Sequence, residues 1–562
     1  MENLANFRKF SSFKFSVPSP TSPIATHRTS GRTSPSMVPP SSHRTQTPPC
    51  TSQVSPARTS YFSARASRVS SHFCDLELEN EEDQDLNPIT SMEDGHDDGE
   101  QELSQVSVSK LALIESNGEQ DQKQNKPKES RQTRLSVLLL NQGLFTVYKR
   151  LFVICLALNA IFLLLISRNR NLQYATKNAA LFAIGNILAL TLCRSEACLR
   201  VVFYATVKVF GHSWVPLRVK TAITSLLQSL GGIHSGCGIS SIAWLIYAIS
   251  LTLRNKENTS TEIISVAFTI LFLLCLSSLA AFPLLRHLHH NVFERTHRFA
   301  GWSGLALLWV FILLTISYDP KTKSYDGNLR SRLLKSEEFW LTTITTVLII
   351  LPWVTVRRVK VSVSAPSTHA SIIKFEGGVK PGILGRISPL PFSEWHAFGI
   401  ISDGKKEHTM LAAAVGDFTR SLVSNPPSHL WVRAVRFAGL PYLLNLYDRV
   451  LIVATGSGIG VYLSFLLQPV SANIHLLWVA KGIEQNFGKE IEQWVSGYPK
   501  EKVIIHDTAV HGRPNVSKMS VDAARNWGVE FVAVTSNPEG TRDVVNTCKA
   551  AGIPAFGPIW DS

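Results

Sequence analysis

Tyr447-Asp-Arg-Val-Leu-Ile-Val-Ala-Thr-Gly456-Ser-Gly458-Ile-Gly460-Val461 runs an aliphatic, strand-like segment into three closely spaced glycines. A parallel strand hands its chain to a phosphate-cradling turn and helix in this way, because only glycine lets the backbone approach a pyrophosphate closely. Gly456, Ser457, Gly458 and Gly460 are therefore candidate contacts for a dinucleotide. Strand-like runs at residues 450–455, 474–479, 502–505 and 531–535 alternate with helical stretches, as a doubly wound parallel α/β sheet requires.

Outward from this stretch the composition changes in blocks. The chain has 562 residues, 45% of them hydrophobic, and a formal net charge of +14. It is too long for one domain, and its apolar residues are concentrated upstream of the glycine turn. The charge is patterned: an acidic run from Asp75 to Glu102 separates a basic leader from basic loops. A nucleic-acid face would need the cations gathered, so no nucleic-acid partner is expected. Eight cysteines, none in a CxxC pair, imply neither a zinc site nor a disulfide framework.

Residues 1–134 are poor in aromatics and rich in Ser, Thr, Pro and Arg before they turn acidic, a composition that cannot bury enough surface to fold. This leader is expected to be disordered. Ser19, Ser22, Ser34, Thr47 and Ser55 each precede a proline among scattered arginines, which makes them candidate sites for proline-directed kinases. An inert solvated tail and an organellar transit peptide remain the alternatives, the latter because only Glu2 is acidic before Asp75.

Six segments, at about residues 151–167, 178–193, 232–253, 263–285, 301–317 and 339–356, read as membrane-spanning helices in contact with a lipid bilayer. The expected plan is thus a multi-domain, multi-pass membrane protein. The leader precedes a six-helix bundle over 148–357, a small β-barrel over 358–440 and the nucleotide domain over 441–562. With both termini in the cytosol, Lys149, Arg150, the loop from Arg194 to Lys220, Arg298 and Arg357 face inward. The plasma membrane or the endoplasmic reticulum is the expected location. Histidines at membrane depth are costly and mark function. His234 opens the third span and His297 the fifth; imidazoles on facing helices are suitable axial ligands for one b-type haem, and neighbouring glycines leave room for a porphyrin.

The order of spans, barrel and nucleotide domain resembles the ferric reductase and NADPH oxidase superfamily. Within it the chain is similar to the TmpA-like membrane flavoproteins, whose module resembles the C-terminal part of certain fungal adenylate-forming reductases. The shared text is Leu192-Cys-Arg194, Gly-Gly-Ile-His234-Ser-Gly, Phe-Glu-Arg-Thr-His297-Arg, Glu-Trp-His396-Ala-Phe398, Gly416-Asp-Phe-Thr419, the glycine turn and the tail from Ala555 to Ser562. The resemblance implies a ferredoxin-reductase-like module that holds FAD at His396, Phe398, Gly416, Asp417 and Thr419, with Trp560 as the terminal aromatic covering the flavin. It also implies NAD(P)H at the glycine turn, with Arg513 of Gly512-Arg513-Pro514-Asn515 as a phosphate partner.

The chain departs from that family pattern in several places. Relatives carry a second histidine thirteen or fourteen residues after each of the two haem ligands, which at 1.5 Å per residue separates two haems by about 20 Å. Tyr247 and Ala248 follow His234 at that spacing, and Val310 and Phe311 follow His297, so at most one inner haem is expected. Gly399 replaces a hydroxyl residue that contacts the flavin, Ala412–Ala414 replace a basic residue near the flavin pyrophosphate, and Thr535-Ser-Asn-Pro538 replaces a Cys-Gly-Pro element. The expected function is an NAD(P)H-dependent flavin oxidoreductase passing electrons to an unknown acceptor. The alternative is a catalytically degenerate membrane scaffold or regulatory protein signalling through its leader.

Overall fold

The computed structural model describes residues 146–168, 178–327 and 329–558. The leader with its five proline-directed hydroxyls, and Trp560, lie outside these residues.

Eight principal helices precede the first barrel strand: α1 (Val147–Arg168), α2 (Ala179–Leu192), α3 (Glu196–Phe210), α4 (Leu217–Gln228), α5 (Leu230–Arg254), α6 (Thr261–Ala280), α7 (His290–Ser317) and α8 (Glu337–Val354). Five of them, α1, α5, α6, α7 and α8, are long and apolar enough to cross a membrane. The 14 residues of α2 rise only about 21 Å, short of the roughly 30 Å of a hydrocarbon core. Helices α5 and α7 begin earlier than expected, at Leu230 and His290, which puts His234 and His297 inside helices rather than at their entrances.

Small residues let these helices approach one another. A Cβ on Gly232 would strike the Tyr148 carbonyl, and one on Gly236 would lie 2.9 Å from Cys155 Cβ, so α5 rests directly on α1. These two glycines therefore serve helix packing and leave no room for a porphyrin, whereas Gly238, Gly301 and Gly304 do face open space. Cys155 and Cys237 bring their thiols to 3.4 Å at this contact. One polar knot ties α1, α2 and α5: Asn159 Oδ1 accepts from Asn186 Nδ2 and Trp244 Nε1, each at 2.9 Å. Unmet polar groups are expensive in an apolar bundle, so the knot fixes register as well as contact.

The segment expected to be a loop from Arg194 to Lys220 is instead mostly the pair α3 and α4. Phe203 and Leu227 are buried in the core of the C-terminal barrel-and-sheet module, and Thr224 Oγ1 meets Tyr447 Oη at 2.8 Å. The link between the second and third apolar helices is thus a bracket joining bundle to module.

The module begins at β1 (Val356–Lys360), directly after α8, and continues through β2 (Ser362–Ser364), β3 (Ala370–Glu376), β4 (Ile383–Ser388), β5 (His396–Gly399), β6 (Ile401–Ser402), β7 (Glu407–Ala413), α9 (Asp417–Ser424), β8 (His429–Arg433) and β9 (Phe437–Ala438). One antiparallel sheet runs β9-β4-β8-β1 with β5 also on β4, and a second runs β2-β3-β7-β6. Ile373, Ile387, Phe398 and Leu411 fill the space between them. In β7, His408 is buried and stacked on Phe375 with ring centroids 5.0 Å apart. Its Nδ1 donates to the Gly377 carbonyl at 2.5 Å and its Nε2 accepts from Arg436 at 3.5 Å, an arrangement that requires the neutral imidazole.

Burial, then the Arg436 charge, press the His408 pKa down from 6.5 to about 4. The unfolded chain thus binds the extra proton first, so this group's stabilisation is complete above pH 6.5 and is lost as the pH falls towards 4. Thermal unfolding of the His408→Gln chain is expected to lose part of the drop in melting temperature that the parent shows between pH 7 and pH 4.5. An unchanged drop would reject this account.

The second half is a five-stranded parallel sheet of β10 (Arg449–Thr455), β11 (Asn473–Ala480), β12 (Val503–Asp507), β13 (Phe531–Thr535) and β14 (Ala555–Phe556), in the order β12-β11-β10-β13-β14. Helices α10 (Ile483–Ser496), α11 (Val516–Asn526) and α12 (Pro538–Ala550) supply the principal crossovers. The period of two in β10 sorts its side chains: Val450, Ile452 and Ala454 join the barrel core, while Leu451 and Val453 join a second core under α11 and α12.

Candidate functional site

In the order β12-β11-β10-β13-β14 the direction of winding reverses between β10 and β13, and in open α/β sheets the crevice at that switch point takes the ligand. Two hydroxyl-bearing strand ends meet there. Thr455 Oγ1 lies 2.8 Å from Ser536 Oγ, and Thr535 Oγ1 donates to Tyr462 Oη at 3.1 Å. Asn537 caps α12 by accepting from the Gly540 amide at 2.7 Å. Sequence reading missed Thr455, Tyr462 and Ser536; the paired Thr-Gly and Thr-Ser endings of β10 and β13 were the available signal.

The glycine turn does two things along its length. Gly456 has φ +50° and open space where a Cβ would stand, and its carbonyl accepts from Trp478 Nε1 at 3.0 Å. Gly460 instead packs on Leu411 of the barrel, 3.2 Å from where its Cβ would lie. Gly456 to Val461 form a buried 3-10 turn, and the helix expected after it is only the four residues Ser464–Leu467. Ser464 ties the turn to the barrel, donating to the Ile400 carbonyl at 2.6 Å and accepting from the Ser402 amide at 2.9 Å. Arg513 stands exposed on the loop after β12, beside Gly512, whose φ is +71°. Gly456 leaves space beside its backbone for a close approach, Thr455, Thr535 and Ser536 are buried at the switch point, and Arg513 stands on the loop after the edge strand β12, two strands from β10.

On the barrel, β5 and α9 bring the other sequence candidates together. His396 stacks on Phe418 with ring centroids 4.6 Å apart and planes 16° from parallel. Phe398, two residues on along the strand, is 1% exposed. Thr419 Oγ1 accepts from the Gly416 amide at 3.0 Å and donates to its carbonyl at 3.1 Å, closing the turn that starts α9 at Asp417. Beside them Trp395 Nε1 is buried with no hydrogen-bond partner among the described residues, and Arg433 lies over its ring at 4.6 Å. The donor set of an imidazole, the first-turn amides of α9 and an unmatched indole N–H is suited to a flavin's phosphates and ring oxygens. Gly399, at the end of β5, touches Gly460 and Val461 of the glycine turn, which puts the two candidate nucleotide sites on opposite sides of one seam.

His234 on α5 and His297 on α7 face each other with ring centroids 6.5 Å apart and planes 55° apart. His234 Nδ1 donates to the Leu190 carbonyl at 3.0 Å, and His297 Nδ1 lies 2.7 Å from Ser277 Oγ. A carbonyl only accepts, so His234 carries its proton on Nδ1 and keeps a lone pair on Nε2. The two imidazoles expected to hold one b-type haem are thus brought side by side, while Gly232 and Gly236 beside His234 receive α1 and leave no space there for a porphyrin. Among the described residues no cluster of three or more His, Cys, Asp or Glu side chains is placed to hold a metal ion.

Residues 440–562 match the family described as Adenylate-forming reductase 03009, C-terminal domain. Two curated relatives from Coprinopsis cinerea extend the likeness upstream. Adenylate-forming reductase 03009 is 34% identical over 441 residues, which is 77% of this chain and 42% of the relative. Adenylate-forming reductase 06235 is 34% identical over 433 residues, 75% of this chain and 41% of the relative. The chain thus spans about two fifths of the length of the curated relatives it matches. Among solved structures it is similar to the ferredoxin-NADP+ reductase from Plasmodium falciparum with 2′P-AMP, at 12% identity, TM-score 0.28, and 36% and 95% of the two chains. It is also similar to phthalate dioxygenase reductase, at 12% identity, TM-score 0.28, and 36% and 68%.

Proposed function

We propose that this chain is a membrane-embedded, NAD(P)H-dependent flavin oxidoreductase of the ferric reductase-like kind. The observation that supports the reading is the seam: Gly399 at the end of β5 packs on Gly460 and Val461 of the glycine turn, so the His396–Phe418 cluster and the turn meet across one contact. NAD(P)H is held over Gly456–Gly460, with Arg513 on its phosphate. FAD is held by His396, Phe398 and the Gly416–Thr419 turn. His234 and His297 are the ligands of one b-type haem. A flavin accepts a hydride and releases electrons singly, which is the chemistry such a pairing supplies. The protein's part is to hold the rings in place, keep water from the seam and fix both imidazole tautomers.

A second reading has its own support. Gly399 is packed against backbone, Thr419 uses its hydroxyl in a local cap and Ala412–Ala414 offer no cation. A scaffold that binds nucleotide without turnover is built from the same contacts. The two readings part in one experiment on the full chain in detergent, an absorption spectrum before and after NADPH. The oxidoreductase shows a flavin band bleached by NADPH and a Soret band absent from His234→Ala and His297→Ala. A colourless preparation, still colourless after incubation with FAD and haem, rejects it in favour of the scaffold.

A further inference from the structure

Between α3 and the open end of the barrel lies a cavity of about 1100 Å³ on which cations converge from separate parts of the chain. Arg200 comes from α3, Arg357 and Lys360 from β1, Lys380 from the β3–β4 loop and Arg436 from the turn after β8. Glu376 is the one carboxylate on the wall. Two further arginines of the lining, Arg386 and Arg433, are already engaged: both pair with Glu196 at the start of α3. Among the described residues the other five have no ion pair with a carboxylate, and Arg436 meets only the neutral His408 through its guanidinium.

Burial, then the nearby Arg200 charge, lower the Arg436 pKa, so these cations sense one another. Arg436 is half-buried, whereas Arg200, Arg357, Lys360 and Lys380 stand exposed around the mouth, so an anion entering the chamber meets a ring of cations. The chamber is not purely polar. Val201, Tyr204, Val359, Ile383 and Met410 give it apolar walls beneath the ring of charge. Its position matters too. Strand β1 leaves α8 with one intervening residue, and α3 and the turn after it expose Val201, Tyr204, Val209 and Trp214, the last at 77%. An aromatic and aliphatic fringe beside a basic cluster is what a protein presents at the level of lipid headgroups. None of the residues assigned to flavin, nicotinamide or haem lines this cavity.

We propose that the chamber is a binding site for a phosphate-bearing ligand with an apolar portion, its phosphate gripped by Arg200, Arg357 and Arg436. Guanidinium forks suit phosphate oxygens, and the chamber is large enough to admit a headgroup with the start of an acyl chain. A phospholipid headgroup or a soluble phosphate can present this chemistry. The lipid source rests on the membrane reading of the proposed function, whereas the phosphate site does not.

The test uses the full chain in neutral detergent, titrated with fluorescent phosphatidate and with the matching phosphatidylcholine. Phosphatidate should bind about tenfold or more tightly than phosphatidylcholine, and the Arg357→Gln/Arg436→Gln chain should lose about tenfold of that affinity. Lys380→Glu, on an exposed loop, should lose several-fold even if the double variant fails to fold, and Lys489→Gln on α10 should change nothing. Displacement of phosphatidate by inorganic pyrophosphate at comparable affinity assigns the site to a soluble phosphate, and resistance to displacement assigns it to a lipid. Either result supports the site. Equal binding of the two lipids, indifference to all three cavity substitutions, or competitive displacement of phosphatidate by NADPH that Gly456→Val abolishes overturns it. Loss of NADPH bleaching with phosphatidate binding intact would reject the oxidoreductase and leave this site standing.

Discussion

Replacing Gly399 by alanine is expected to destabilise the C-terminal module by about 3 kcal/mol, the upper end of what overpacking a well-filled core costs. The added methyl points at the seam, where it would strike the Val461 α-carbon and lie 2.8 Å from the Gly460 carbonyl oxygen. Those are backbone atoms of a turn that is anchored at both ends. Trp478 holds the Gly456 carbonyl, and Ser464 holds the Ile400 carbonyl and the Ser402 amide. A side chain could rotate away; this turn has to move as a unit. Urea unfolding of the full chain, followed by the fluorescence of buried Trp478, should show the midpoint shifted down with the slope preserved. A shift under about 1 kcal/mol would mean that the seam is looser than its contacts indicate.

Gly456→Val should behave in the opposite way, folding nearly as well and losing nucleotide. Its φ of +50° lies in the left-handed region, where a branched side chain adds about 1–2 kcal/mol of strain, but no atom stands within 4 Å of the new Cβ. The isopropyl group therefore projects into the crevice at the switch point. A dinucleotide phosphate has to approach that backbone closely, and the side chain holds it off. NADPH affinity is expected to fall about a hundredfold, measured by calorimetry on the full chain. Unchanged affinity would move the nucleotide away from this turn.

These two glycines show what a linear reading resolves and where it stops. Both sit at the end of a strand, and nothing in the letters around them says that one guards a ligand crevice and the other a packing seam. The glycines of α5 teach the same lesson. Gly232 and Gly236 beside His234 read as space for a porphyrin, yet they receive α1, while Gly238 faces open space. A glycine records that something comes close without recording what. Helices α3 and α4 escaped reading for a related reason. Their amphipathic pattern is interrupted by lysines and arginines and so reads as a basic loop, whereas Phe203 and Leu227 lie in the module core.

Local sequence alone determined the apolar helices, the β10 strand with its glycine turn and the alternation of strand and helix that follows, because each depends on periodicity and on backbone freedom within a few residues. It also placed His234 and His297 on separate apolar helices and paired His396 with the Gly416–Thr419 turn only through resemblance. Tertiary structure decided that the two imidazoles face each other at 6.5 Å, that Phe418 stacks on His396 and that five cations with no carboxylate partner among the described residues share one chamber. Those facts depend on the angles at which helices and sheets pack, and packing angles are set by contacts between residues far apart in the chain, which no local pattern encodes.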